Sequence, residues 1–192
     1  MGSLSPLVFD IYSFELCMLM AKSSTLVVIP EHLSAFPASI LKILEEHKVT
    51  FLFWVPTIMV NIANMDLLSS IQLPALKTVW FAGEVFPTKQ FNYWRKMLPQ
   101  TTFANLYGPI EITLDCTCFI VNREIKDEES IPIGFPCRNT DILILDADNK
   151  LVAEAGKEGE LCVRGTSLAM GYYNNPESLR ALCRIPSEPC LS

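Results

Sequence analysis

Three times within the first hundred residues, an apolar run leads into a proline-marked stretch with helical spacing of its apolar positions. Thr25–Ile29 leads to Pro37, after which Ile40, Leu41 and Leu44 share one face. Thr50–Trp54 leads to Pro56, with Ile58, Ile62 and Met65 on one side. Thr78–Ala82 leads to Pro87, with Phe91, Trp94 and Leu98 facing inward. Proline suits a helix's first turn, where its missing N–H has no partner to lose, and the spacing gives an apolar stripe. Strands that are apolar throughout and alternate with helices predict a parallel sheet covered on both faces. A fourth strand, Thr102–Tyr107, is expected to join it.

Beyond residue 110 the texture changes. Leu114, Cys116 and Phe119 stand among threonines in a loosely alternating strand, and Asp141–Leu145 and Gly159–Val163 are short strands. Asp146–Lys150 has the composition of a hairpin turn. The expectation is α/β: a largely parallel sheet with flanking helices over residues 1–112, followed by an antiparallel β portion of the same domain over 113–180. The tail, 181–192, matches no periodic pattern.

Composition narrows the function. The chain has 192 residues, half of them apolar and 19% charged, enough for one domain with a real core. The net charge of −6, with no basic run, argues against nucleic acid or an anionic membrane as partner. The longest apolar stretch, Leu16–Ile29, is interrupted by Lys22, Ser23 and Ser24 and is too short to span a bilayer. Seven scattered cysteines and only two histidines, His32 and His47, make neither a disulfide framework nor a zinc site, so a reducing cytoplasm is expected.

The segment Asn105–Glu111 reads in two ways. Structurally, Gly108 permits a tight turn, Pro109 opens a helix, and Glu111 sits in its first turn, where a carboxylate suits the positive helix end. Functionally, Tyr107 at a strand's C-terminal end can stack on a flat ring, since ligands of parallel sheets collect there. Glu111 could then hold magnesium. Asp10 is equally double: a cap for the helix that follows, or a partner for a ligand's cation.

The run Asn105-Leu-Tyr-Gly-Pro-Ile-Glu111 resembles the core motif of the adenylate-forming superfamily. That superfamily includes acyl-CoA ligases, adenylation domains of peptide synthetases and D-alanine–carrier-protein ligases. Phe9-Asp10 with Glu15, Ala82–Val85, Ile133-Gly134 with Pro136, and Gly159–Gly165 through Leu168–Tyr173 resemble other family segments, in family order. The likeness runs from about residue 8 to about 178, and is greatest to amino-acid adenylation domains and carrier-protein ligases. It implies a piece of the large N-terminal domain of such enzymes. It also implies amino-acid adenylation with ATP and Mg²⁺, then transfer to a carrier protein's phosphopantetheine thiol.

Roles follow position by position from that resemblance. Tyr107 stacks on adenine, and Glu111 is the catalytic, magnesium-binding carboxylate. Gly83, Glu84, Asn105 and Gly108 complete the nucleotide site. Asp10 meets the substrate's α-ammonium group. Phe14, Trp80, Ala82, Leu106 and Leu114 line the side-chain pocket, and bulky Trp80 implies a small substrate. Two positions depart from the family pattern. Ile110 replaces a threonine whose hydroxyl would contact phosphate, a bond isoleucine cannot make, and Tyr12 replaces a serine.

The family's phosphate loop would lie upstream of Asp10, and its ribose-binding aspartate and catalytic lysine would lie beyond residue 185. The expectation is therefore an incomplete, inactive fragment, with a frameshift accounting for the atypical tail. The alternatives are an acyl- or aryl-CoA ligase fragment, or a non-catalytic remnant that binds a nucleotide or a partner.

Overall fold

The computed structural model describes residues 1–175. The expectation of an atypical tail, 181–192, lies outside the described residues. The strands are β1 (Gly2–Ser3), β2 (Val27–Val28), β3 (Phe51–Trp54), β4 (Thr78–Phe81), β5 (Thr102–Tyr107), β6 (Thr117–Ile120), β7 (Phe135–Pro136), β8 (Thr140–Leu145) and β9 (Glu160–Gly165). The helices are α1 (Asp10–Lys22), α2 (Pro37–Glu46), α3 (Pro56–Asn64) and α4 (Thr88–Met97). Strands β1 to β7 form one sheet in the order β2-β1-β3-β4-β5-β6-β7. Neighbours run parallel from β2 to β5, then antiparallel through β6 and β7. Strands β8 and β9 make a separate antiparallel pair. The predicted α/β class is what the chain adopts.

Period-2 alternation sorts the parallel strands into two faces. Leu52, Trp54, Val79, Phe81 and Phe103 pack into the larger core with the apolar stripes of α2, α3 and α4. Phe53, Ala82, Ala104 and Leu106 belong to a second cluster, with Ile11 of α1 buried against it. Burying each such large side chain stabilises by about 1.5–3 kcal/mol. Two indoles add directional ties: Trp94 Nε1 donates to the Met59 carbonyl (2.8 Å), and Trp54 Nε1 to the Gly2 carbonyl (3.1 Å).

The proline expectations hold for α2 and α3, which have Pro37 and Pro56 in their first turns, while Pro87 stands just outside α4 as its N-cap. Met65 is a correction. It is 57% exposed, because α3 ends at Asn64, and Met59 takes the buried place. The expected strand at Leu114 begins only at Thr117. Thr113 and Leu114 have φ of 59° and 80°, the left-handed backbone needed to reverse the chain between β5 and β6. For the same reason no helix follows Pro109. A single 3₁₀ turn, Ile110–Ile112, occupies that stretch. The turn after β8 follows its composition: Asp146 Oδ1 accepts the N–H groups of Asp148 and Lys150, each at 2.9 Å.

Strand β1 is the element that sequence reading did not anticipate. It lies between β2 and β3, and Ser3 Oγ donates to the carboxylate of Glu15, which is buried in α1. Burial raises the Glu15 pKa, an effect the Ser3 bond partly offsets.

Candidate functional site

The C-terminal ends of β3, β4 and β5 lie side by side, and the ends of β4 and β5 together with the loops that leave them carry most of the candidate residues. Tyr107 is the last residue of β5 and is partly exposed. Its carbonyl accepts the Cys116 N–H at 2.8 Å, which folds the following loop back against the strand end. Gly108 is required by that return. A Cβ there would stand 2.2 Å from the Leu114 carbonyl oxygen and 2.6 Å from the Asp115 Cα.

Asp10 is the first residue of α1, and the N-cap position belongs to Phe9. Its carboxylate accepts the Ile11 N–H at 2.9 Å on one oxygen and the Leu114 N–H at 3.2 Å on the other. The second bond joins residues 104 positions apart and pins the start of α1 to the loop after β5. Asp115, which sequence reading missed, is the next residue along that loop. Burial, and secondarily the charge of Asp10, push its carboxyl up to about 7, and its Oδ2 is buried with no hydrogen-bond partner. No local pattern marks this residue, because its neighbour comes from the far end of the chain.

Phe14, Trp80, Ala82, Leu106 and Leu114 all fall in one cluster with Ile11, Phe51, Phe53, Ala104 and Cys118. Phe14 and Trp80 have ring centroids 5.4 Å apart, and Phe53 meets Phe14 at 5.4 Å and Trp80 at 5.8 Å, both edge to face. Phe51 and Phe53 were legible in principle, since they are the positions of β3 on the same face as Trp80 and Ala82 of the next strand.

Glu111 lies in the 3₁₀ turn with its carboxylate at the surface. The Tyr172 hydroxyl donates to that carboxylate and holds it below the usual carboxylate range. The Ala169 N–H donates to the Glu111 carbonyl at 2.6 Å, and Thr113 Oγ1 to the Ser167 carbonyl at 2.9 Å. The 167–173 segment thus lies on the Glu111 turn. An exposed, ionised carboxylate fits magnesium, which takes one or two carboxylates together with water and substrate phosphates. Among the described residues no group of three or more His, Cys, Asp or Glu side chains is placed to hold a metal unaided.

Gly83 has φ of 87°, a conformation that suits glycine. The neighbouring Glu84 carboxylate accepts both the N–H (3.0 Å) and the hydroxyl (2.5 Å) of Thr57, in the first turn of α3. Asn105 behaves differently from its motif neighbours. It shares the β5 face of Phe103, and its amide donates to the Pro132 carbonyl at 2.9 Å, tying β5 to the stretch before β7. A groove of about 730 Å³ opens elsewhere, between the end of α4 and the start of β5, and is lined by Arg95, Lys96, Phe103 and Lys126. It stands at the opposite end of β5 from Tyr107, so it belongs to no part of this constellation. Among the described residues no helix is long and apolar enough to cross a membrane.

Known proteins resemble this chain in sequence and in fold. The sequence profile of AMP-binding enzymes matches residues 1–173. Zwittermicin A synthase ZmaJ of Bacillus cereus is 29% identical over 90% of this chain and 34% of its own length. The L-proline--[L-prolyl-carrier protein] ligase of Pseudomonas fluorescens is 31% identical over 90% and 34%. The Vibrio cholerae adenylation domain AlmE, solved with glycyl-adenosine-5′-phosphate, superposes with a TM-score of 0.82 at 26% identity, covering 94% of this chain and 34% of that one. The chain therefore spans about a third of the length of these relatives.

Proposed function

The chain belongs to the AMP-binding enzyme family, and on that premise we propose that it works in a ligase activating an amino acid as its adenylate. Transfer of the aminoacyl group to a carrier-protein thiol completes the reaction. In this reading residues 1–112 and 113–180 are two parts of one adenylation domain, acting in the cytoplasm, where ATP and reduced thiols are available. The relatives support the reading by their names, which include a prolyl-carrier protein ligase and an adenylation domain holding a glycyl adenylate. Because the chain matches a third of each, turnover is proposed for the whole ligase. The 192 residues alone are proposed to bind nucleotide weakly and to lack turnover.

The observation that carries the proposal is the placement of Asp10. Each of its oxygens accepts one backbone N–H, and each retains a further lone pair for an ammonium group. It stands at the rim of the aromatic cluster, so an amino acid's charged end and side chain are recognised by adjacent groups. Asp115 favours a cationic ligand further. Two neighbouring carboxylates repel each other until a positive group arrives between them. The four rings of Phe14, Phe51, Phe53 and Trp80 crowd the space, which favours a small substrate side chain.

Tyr107 offers its ring to adenine, with Gly83, Glu84 and Gly108 along the rim and Asn105 holding β5 in place. Glu111 is the carboxylate for magnesium, which, when bound, neutralises charge on the phosphates. Tyr172 orients that carboxylate, and Ile110 leaves the neighbouring position without a side-chain donor.

The test uses a non-hydrolysable alanyl-adenosine sulfamate and its deamino, propionyl counterpart, each titrated calorimetrically into the purified protein. The amino compound is expected to bind more tightly by about 2 kcal/mol, roughly 30-fold. Asp10→Asn is expected to abolish the difference. Equal affinity for the two compounds would favour an acyl-CoA ligase, and binding of neither would end the adenylation reading.

A further inference from the structure

Glu84 and Thr57 leave adjacent parallel strands, β4 and β3, at the same end of the sheet. The backbone join between the two exits is long: the Ala82 N–H reaches the Trp54 carbonyl at 3.4 Å. Beyond it the Glu84 carboxylate spans the gap and accepts two hydrogen bonds from one residue. The N–H it takes is one of the first-turn donors of α3 that have no partner within the helix, and negative charge is favourable at that end. The tie is solvent-exposed on both sides, so it contributes little to the stability of the whole domain. What it fixes is local. Gly83, with its left-handed backbone and no Cβ to pack, would otherwise be the loosest point of the loop.

We propose that the Glu84 side chain is a positioning residue that, by bridging to Thr57 on α3, holds the Gly83 backbone in the conformation that meets the adenine ring. This rests on the reading that the Gly83 loop borders the nucleotide. It assigns to the Glu84 carboxylate and the Thr57 hydroxyl a role distinct from any direct contact with nucleotide. Their effect is preorganisation: without the bridge, binding must also order the loop, and affinity falls by that cost.

The experiment titrates AMP into the ¹⁵N-labelled protein of all 192 residues and follows amide shifts. Glu84→Ala, Thr57→Val, Thr57→Ser and the double variant Glu84→Ala/Thr57→Val are measured alongside. In the wild type, AMP is expected to move the Gly83 amide. Glu84→Ala and Thr57→Val should each weaken AMP binding about tenfold, and the double variant no more than Glu84→Ala alone. Thr57→Ser, which keeps the hydroxyl, should restore wild-type affinity. Amide exchange at Gly83 and Val85 should quicken in Glu84→Ala while β3 and β4 stay protected and the urea midpoint stays near the wild-type value. Unchanged AMP affinity in Glu84→Ala with the Gly83 amide still responding would overturn the bridge but leave the nucleotide site standing. Additive losses in the double variant, or a Thr57→Ser as weak as Thr57→Val, would overturn it too. If AMP leaves the wild-type Gly83 amide unmoved, the underlying nucleotide reading fails and takes the bridge with it.

Discussion

Asp115 stands beside Asp10 with one oxygen buried and unpartnered, and its carboxyl is pushed up to about 7 from an ordinary 3.8. The folded protein therefore holds a proton at Asp115 that the unfolded chain has already released across roughly pH 4 to 7. Where the folded state binds more protons, stability falls as pH rises, and it levels off above the folded pKa. Asp115→Asn removes the ionising group while keeping its shape. The variant should match the wild type near pH 4 and be the more stable by on the order of 2–4 kcal/mol at pH 8. Urea unfolding of both proteins at pH 4, 6 and 8 measures this. A difference that stays constant with pH would show that Asp115 titrates normally. If the site receives a substrate cation, the same burial that weakens the empty protein at pH 8 strengthens its attraction for ligand.

At the scale of elements, β1 shows how two residues can decide a helix's position. Ser3 donates to Glu15, and this bond fastens α1 to the sheet through the one carboxylate that the helix buries. Ser3→Ala would leave that carboxylate without its donor, a loss of about 1–3 kcal/mol. The Ser3 bond favours the ionised form of Glu15 against its burial, so the loss should be greater at pH 8 than at pH 4. Equal losses at the two pH values, read from urea midpoints, would mean that the bond does not favour the ionised form over the protonated acid.

Such an element was not legible beforehand, because a two-residue strand carries no period. Strands β3 and β4 were legible as almost wholly apolar runs, β5 as such a run broken by Asn105, and so were α2 and α3, whose first turns carry proline and whose stripes are regular. The path after Pro109 was not. It is set by Gly108's close approach to Leu114 and by the Asp10–Leu114 bond, both products of the fold. The five residues of the side-chain cluster could be read from motif positions. Phe51 and Phe53 could have been found by pairing β3 with β4, whereas Asp115 needed the fold that brings Asp10 beside it.

Over the whole molecule the apolar surface is unevenly covered. Helix α1 turns only Ile11 and Glu15 fully inward and leaves Leu16, Leu19 and Met20 exposed, beside an exposed Leu7, Val8 and Phe9. Strand β2 ends the sheet with Val28 largely exposed, and its outer edge has no partner strand among the described residues. Exposed apolar side chains and an open sheet edge each favour association. The purified 192-residue protein should sediment as concentration-dependent oligomers, and Leu19→Lys with Met20→Lys should shift it toward monomer. A wild-type protein that is monomeric at every concentration in sedimentation velocity would contradict this.

The pairing of Gly2 with Leu52 also has a consequence in time. Strand β1 cannot take its place in the sheet until β3 has been made, and synthesis at roughly 5–20 residues per second puts a delay of several seconds between them. Through that interval Phe53 and Trp80, the rings that Phe14 of α1 packs against, are still missing, so the face of α1 with Ile11 and Phe14 must wait for its cover. Pausing by the ribosome before residue 52 would lengthen the wait, and with it the time this stretch is open to chaperones that bind apolar segments.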